Sequence, residues 1–168
     1  MELDPIDYRI LAALQRDGRI TNHSLAEKVG LSPSACLRRV QILEREGVIA
    51  GYTALLDAAR LGRPMTVLVQ ITLERQTDDN LEAFEAAIAR QPEVVECYLM
   101  SGMADYLVRV AVRDAEDYER IHRQVLARLP GVARIQSSFA IRTVISRASI
   151  PVGELREQAG AGRAAKRV

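Results

Sequence analysis

Ser34, Arg38, Gln41 and Arg45 follow one another at intervals of four, three and four residues. At ~100° per residue this spacing gathers them on one face of a helix. Together they carry a hydroxyl, two guanidinium groups and an amide, the groups that read base edges and phosphates. Ser32, at the mouth of the same helix, extends the set. Arg39, on its flank, is placed for a phosphate or a structural ion pair. The plain alternative is an amphipathic helix whose polar face is merely solvated.

A second stretch, Ser101-Gly102-Met103-Ala104-Asp105, admits two readings. Glycine permits positive φ and aspartate favours turns, so the five residues suit a hairpin turn. They also suit a small-ligand pocket, with the bare backbone of Gly102 meeting a carboxylate and Asp105 meeting an ammonium. The residues alone leave both open. Catalysis finds little support. His23 and His122 fall on different predicted domains and at no metal-ligand or triad spacing with Cys36 and Cys97. No phosphate loop or dinucleotide fingerprint is present. No catalytic residue, metal or cofactor is therefore assigned, and the chain is expected not to be an enzyme.

The elements that must position these residues are marked in the sequence. Ser32 is an N-cap, Pro33 a first helical residue and Gly47 a stop, with Cys36, Leu37, Val40 and Leu43 facing inward. Asp4-Pro5 opens an earlier helix striped by Ile6, Ile10, Leu11 and Leu14, which Asp17-Gly18-Arg19 breaks. Thr21 caps a short helix carrying Leu25, Ala26 and Val29, ended by Gly30. Two helices joined by a short glycine-containing turn form a helix-turn-helix, whose second helix enters the major groove. Val48–Leu56 reads as a strand able to form a small wing, and Leu61-Gly62-Arg63-Pro64 as a linker.

From Thr66 the period changes to two. Val67, Val69, Ile71 and Leu73 alternate with Leu68, Gln70 and Thr72 in a strand. Asp78 or Asp79 caps a helix with Leu81, Phe84 and Ile88 inward. Strands are predicted at Val94–Met100 and Asp105–Val112, with Ser101–Ala104 as the turn between them. Asp114 caps a helix with Tyr118, Ile121, Val125 and Leu129 inward, and Val132–Ile145 is a last long strand. The order βαββαβ is a ferredoxin-like split pair of βαβ units. Four strands covered on one face leave the other to be buried, most simply by self-association.

Composition bounds these readings. The 168 residues hold one ordinary domain or two small ones, 48% hydrophobic but only 4% aromatic and without Trp, so the core must be aliphatic. The net charge of +1 leaves the partner open, because the distribution of charge matters more than its sum. Both cysteines lie on apolar stretches and read as small buried hydrophobes rather than a disulfide. No signal peptide or membrane-spanning run is apparent, which suggests the cytoplasm. The expected class is α+β. The expected organisation is a winged helix-turn-helix domain at 1–50, a hinge strand and linker at 51–65, an effector-binding and oligomerisation domain at 66–147, and a mobile tail at 148–168.

Leu3-Asp4, Asp7, Ile10-Leu11, Gly18-Arg19-Ile20, Leu25-Ala26, Leu31-Ser32-Pro33-Ser34, Arg39-Val40, Leu43-Glu44, Gly47-Val48-Ile49 and Gly51-Tyr52, followed by Ser101-Gly102, Asp105-Tyr106-Leu107 and Leu129-Pro130-Gly131-Val132, resemble the Lrp/AsnC (leucine-responsive, feast/famine) family of transcriptional regulators. The resemblance spans roughly residues 3 to 147, both domains in order. It implies a regulator that binds a pseudo-palindromic site on double-stranded DNA and responds to a small effector, usually an amino acid. It further implies a second domain resembling ACT-like amino-acid-sensing (RAM) modules, homodimers assembling to tetramers or octamers, and a nucleoid-associated location. The effector positions carry over as Gly102, Asp105, Gln136 and Ser137, with Met103 and Ala104 departing from the family's usual turn residues. Ser137-Ser138-Phe139-Ala140 is similar to a subgroup linked to catabolism of branched-chain or sulfur amino acids. The competing reading is a stand-alone metabolite-binding or enzyme-regulatory module without DNA binding.

Overall fold

Asp4 and Pro5 start the first helix as predicted, in a computed structural model that describes residues 1–146 and 150–152. The expected tail at 148–168 therefore lies almost wholly outside the described residues; Val152, within it, is buried. Helix α1 spans Pro5–Arg16, and its start is a reciprocal capping box. The Asp4 carboxylate accepts the N–H groups of Ile6 and Asp7, while the Asp7 carboxylate accepts the N–H of Asp4 at 2.9 Å. Helix α2 spans Asn22–Val29, capped by Thr21 and closed by Gly30 at φ 72°, a left-handed position that favours glycine. Helix α3 spans Pro33–Arg45; the Ser32 hydroxyl accepts the Ala35 N–H at 3.3 Å.

The three helices close over Ile10, Leu25, Ala26, Val29, Cys36 and Leu43, all nearly or fully buried, with Ile6, Leu11, Leu14 and Val40 packed around them. Fully burying a side chain such as Ile10, Leu25, Val29 or Leu43 contributes ~1.5–3 kcal/mol. Leu37, expected inward, is instead 46% exposed. It lies ~100° round the helix from Cys36, beyond the arc that α1 and α2 cover. One further expectation fails here. No strand forms over Val48–Leu56, because none of the described strands pairs with it; the Ile49 N–H donates back to the Leu43 carbonyl and the Tyr52 hydroxyl to Glu44. The linker is partly folded: the Asp57 carboxylate accepts the N–H groups of Ala59 and Arg60 in a turn that ends at Gly62.

Residues Leu55–Val144 form a separate unit from that built on Met1–Ala54. Its order is β1 (Met65–Leu73), α4 (Asp78–Ile88), β2 (Val94–Leu99), β3 (Tyr106–Val112), α5 (Ala115–Gln124), a 3-10 turn at Leu126–Arg128 and β4 (Val132–Phe139). The sheet is antiparallel in the order β2-β3-β1-β4, the predicted βαββαβ arrangement. Alternation sends Val67, Val69, Ile71, Leu73, Tyr106, Val108, Val110 and Val112 to one face, where Phe84, Ile88, Tyr118, Ile121, Leu126 and Leu129 cover them. Arg63 ties the incoming chain to this unit, donating to the Ala111 carbonyl at 3.0 Å and to Asp117 at 3.5 Å.

Several boundaries differ from expectation. Strand β1 starts at Met65 rather than Thr66, β2 ends at Leu99 rather than Met100, and β3 starts at Tyr106 rather than Asp105. Three more differ for a physical reason. Thr77 rather than Asp78 or Asp79 is the cap of α4, without a side-chain bond; both aspartates sit in the first turn, where the helix dipole favours them. Helix α5 ends at Gln124, and the tighter 3-10 turn brings Leu126 rather than Val125 fully inside. Strand β4 stops at Phe139, not Ile145. Its partner β1 begins at Met65, so after the Ala140 N–H reaches the Thr66 carbonyl there is no further ladder to join.

Candidate functional site

On α3, the core contacts of Cys36, Val40 and Leu43 fix which side is free. Ser34, Arg38, Gln41 and Arg45 are all exposed on that free side. Arg38 makes no ion pair within the described residues, whereas Arg45 leans on Glu46 at 3.3 Å. Ser32 is exposed too, but its hydroxyl is engaged in capping and lies 3.3 Å from the Ser34 hydroxyl. Leu37 joins this arc, between Ser34 three residues before it and Gln41 four residues after.

Arg39 resolves in favour of the ion pair. Its Nη1 donates to Asp4 Oδ2 at 2.7 Å and Asp7 Oδ1 at 2.8 Å, joining the start of α1 to the middle of α3. These bonds hold the guanidinium protonated even more firmly than usual. Burial pushes the Asp4 carboxyl up, but the N–H groups of Asp7 and Ile6 and the Arg39 guanidinium outweigh it and hold the group below its ordinary value. Of the two roles open to Arg39, this geometry supports the structural ion pair over the phosphate contact.

In the second unit, the far face of the sheet carries Leu68, Gln70 and Thr72 of β1, Glu96 and Tyr98 of β2, Leu107 and Arg109 of β3, and Arg134, Gln136 and Ser138 of β4. At one end of this face lies a cavity of about 240 Å³, lined by Gln70, Thr72, Tyr106, Leu107, Arg134 and Gln136 from the strands and by Met100, Gly102, Met103 and Ala104 from the β2–β3 loop. The loop is closed by the Met100 N–H donating to the Asp105 carbonyl at 2.8 Å. Gly102 does not use a positive φ, and a Cβ there would meet nothing within 4 Å. Nothing among the described residues demands glycine at this position. Arg134 is exposed and has no ion-pair partner among the described residues.

Two of the six predicted effector positions are elsewhere. Asp105 is buried, and its carboxylate accepts the Leu73 N–H at 2.7 Å and the Gln76 side-chain amide at 2.5 Å. Strand β1 runs past its last β3 partner, Ile71 opposite Tyr106, and Asp105 takes the N–H left without a ladder bond. In this geometry it fastens the loop, with both carboxylate oxygens engaged within the chain. Ser137 lies opposite Val69 on the helix-covered face, where its hydroxyl pairs with the Tyr118 hydroxyl. The residues missed by sequence are Gln70, Thr72, Met100, Leu107 and Arg134. The alternation of β1 and β4 carried that signal once the register was known.

Both cysteines are free, and burial raises both thiols, so neither is an activated nucleophile. No described helix is long and apolar enough to cross a membrane.

Comparison with known proteins covers both units. The profile of the Lrp/AsnC ligand binding domain matches residues 66–150, and that of a winged helix-turn-helix DNA-binding domain matches residues 3–50. The chain is 47% identical over 151 residues to the Bkd operon transcriptional regulator of Pseudomonas aeruginosa, covering 90% of this chain and 99% of that one. It is 56% identical over 119 residues to an uncharacterized HTH-type transcriptional regulator of Sinorhizobium fredii, covering 71% of this chain and 94% of its relative. Among solved structures, a Neisseria meningitidis transcriptional regulator in complex with L-Met superposes with a TM-score of 0.86 at 34% identity, covering 92% of this chain and 99% of that chain.

Proposed function

The chain belongs to the Lrp/AsnC family of transcriptional regulators, and from that premise we propose how its parts divide the work: α3 reads DNA, and the cavity beside the Met100–Asp105 loop takes an amino acid. That the protein is a DNA-binding regulator with a small-molecule effector, and not an enzyme, follows from the family; the assignment of residues is ours. Ser34, Arg38, Gln41 and Arg45 enter the major groove, and Ser32 lies at its edge. Gln70, Thr72, Gly102, Met103, Ala104, Arg134 and Gln136 surround the effector.

The observation that carries this reading is the company Arg134 keeps. It is a cation without an ion-pair partner among the described residues, beside a loop whose Gly102 leaves its backbone bare, in a cavity otherwise walled by neutral amides, a hydroxyl and apolar side chains. A guanidinium so placed suits an α-carboxylate. Met100, Met103 and Leu107 suit an aliphatic or thioether side chain, as methionine's flexible sulfur chain does in adaptable sites. The relative solved with L-Met supports the same ligand class. With no carboxylate on the cavity wall, the ammonium is met by neutral oxygens of Gln70, Thr72 or Gln136, or by a second copy.

The open face of the sheet, with Leu68, Leu107 and Tyr98, is where two copies associate, and such dimers bring two α3 helices to the half-sites of a pseudo-palindrome ~34 Å apart. Higher assembly to tetramers or octamers and a cytoplasmic, nucleoid-associated location complete the proposal.

Calorimetry of the full chain against the twenty amino acids tests the cavity. Apolar unbranched and branched side chains bind, their carboxamides bind far more weakly, and Arg134→Gln loses ~1.5–3 kcal/mol of affinity, the worth of a hydrogen bond between charged groups. An Arg134→Gln protein that binds amino acids as wild type does overturns the assignment.

A further inference from the structure

We propose that Leu37 selects thymine in the bound DNA by packing against its 5-methyl group. The proposal rests on the groove-facing assignment of α3 and extends it to a residue that no hydrogen-bonding argument would choose. Leu37 is 46% exposed, whereas Cys36 and Leu43 of the same helix are fully buried. Among the described residues Leu37 is not one of those packed on the core of the first unit, so that core does not account for a large apolar side chain there. Its neighbours on the exposed arc are polar: Ser34 one turn before, Arg38 beside it and Gln41 one turn after.

The chemistry of the groove then limits what Leu37 can recognise. Guanine, adenine and cytosine offer only donors and acceptors at their major-groove edges, while thymine alone adds an apolar group, the C5 methyl. A leucine side chain answers no donor or acceptor and desolvates whatever edge it covers. Opposite a thymine it removes both its own exposed surface and the methyl from water. Opposite any other base it leaves a polar edge covered and unpaired, which penalises that base. Leu37 thus discriminates by attraction at one base and by exclusion at three. Gln41, four residues on and on the same arc, is a side chain that pairs with adenine at N6 and N7. The pair therefore reads neighbouring positions of one half-site in different ways.

The test uses the full chain and a duplex chosen from a random library by repeated binding to wild type. Each thymine of the selected half-site is replaced in turn by deoxyuracil, which removes the methyl and nothing else, and affinity is followed by fluorescence anisotropy. Wild type should lose about fourfold per methyl, the worth of one buried carbon, at one position in each half-site. In Leu37→Ala that same replacement should cost nothing, while uracil elsewhere behaves as in wild type. A uracil effect that persists undiminished in Leu37→Ala overturns the proposal, as does a wild type indifferent to uracil at every position.

Arg38→Ala separates this outcome from failure of the underlying assignment. If α3 does not enter the groove, Arg38→Ala also leaves affinity unchanged. If α3 does and Leu37 reads no methyl, Arg38→Ala weakens binding while the uracil pattern stays the same in Leu37→Ala. Size-exclusion chromatography with light scattering closes the remaining route. A Leu37→Ala protein of altered assembly state, weakened equally on thymine and uracil duplexes, makes Leu37 a contact between copies and overturns the proposal.

Discussion

Arg39→Ala should unfold the helix-turn-helix unit more easily without changing which DNA sequence the folded protein prefers. Arg39 holds two carboxylates, at 2.7 Å and 2.8 Å, with side-chain exposures of 31% for the arginine, 35% for Asp4 and 8% for Asp7. A hydrogen bond between charged groups contributes ~1.5–3 kcal/mol when sheltered, but an exposed ion pair only ~0–1 kcal/mol. The sheltered bond to Asp7 falls in the first class and the half-open bond to Asp4 near the second. Their sum is ~2–3 kcal/mol, or on the order of 10–20 °C in the midpoint of a small unit.

Thermal melts, read beside hydrogen exchange of the α1 and α3 amides, measure this loss in the right unit. Acid supplies an independent check. Asp4 is held below its ordinary value in the fold, so its contribution is complete above the unfolded aspartate pKa of ~3.9 and fades as pH falls through the lower folded value. The gap between wild type and Arg39→Ala should therefore narrow below about pH 4. Arg39→Lys, which keeps the charge without the fork, should fall between the two. A variant of unchanged stability whose affinity drops uniformly on all sequences would refute this reasoning and return Arg39 to the phosphate backbone.

Four further outcomes are expected. Arg38→Ala weakens the specific site by ~1–3 kcal/mol and relaxes preference at one position per half-site, measured by anisotropy on singly altered duplexes. Gly102→Ala leaves the melting temperature unchanged, since a Cβ meets nothing and φ is not left-handed, yet lowers effector affinity in calorimetry by filling the space above the loop. Asp105→Ala strips the Leu73 N–H of its acceptor and costs ~1–3 kcal/mol of stability in urea unfolding of the second unit; a normal melt with lost ligand binding would make Asp105 a ligand contact after all. Leu68→Glu, beside Arg109 on the open face, keeps the fold and halves the mass seen by light scattering.

How far the sequence could be read depended on whether a residue's neighbours were local. Asp4-Pro5, Thr21, Ser32-Pro33 and Gly30 act within four residues of themselves, and each cap formed where it was expected. The alternation Val67–Leu73 needed only a buried face, and it has one. Leu37 was lost because a helical wheel gives an angle but not the width of the arc its neighbours cover. Ser137 was lost to parity: Gln136 and Ser137 are adjacent, so only one faces the cavity, and the register with Gln70 and Val69 decides which. Asp105 reads as an ammonium partner in the sequence because the group it bonds, the Leu73 N–H, lies 32 residues away. Val48–Leu56 has strand composition and no pairing strand among the described residues, which no local pattern can reveal.

The central claim is that an amino acid in the second unit governs DNA binding by the first. Its most direct test is a set of anisotropy titrations of one selected duplex at rising concentrations of the amino acid that calorimetry identifies. The account predicts that DNA affinity shifts ~5–150-fold as the cavity fills, a coupling of ~1–3 kcal/mol, and that saturating DNA shifts effector affinity by the same factor. Superimposable DNA isotherms with the cavity full and empty would contradict it.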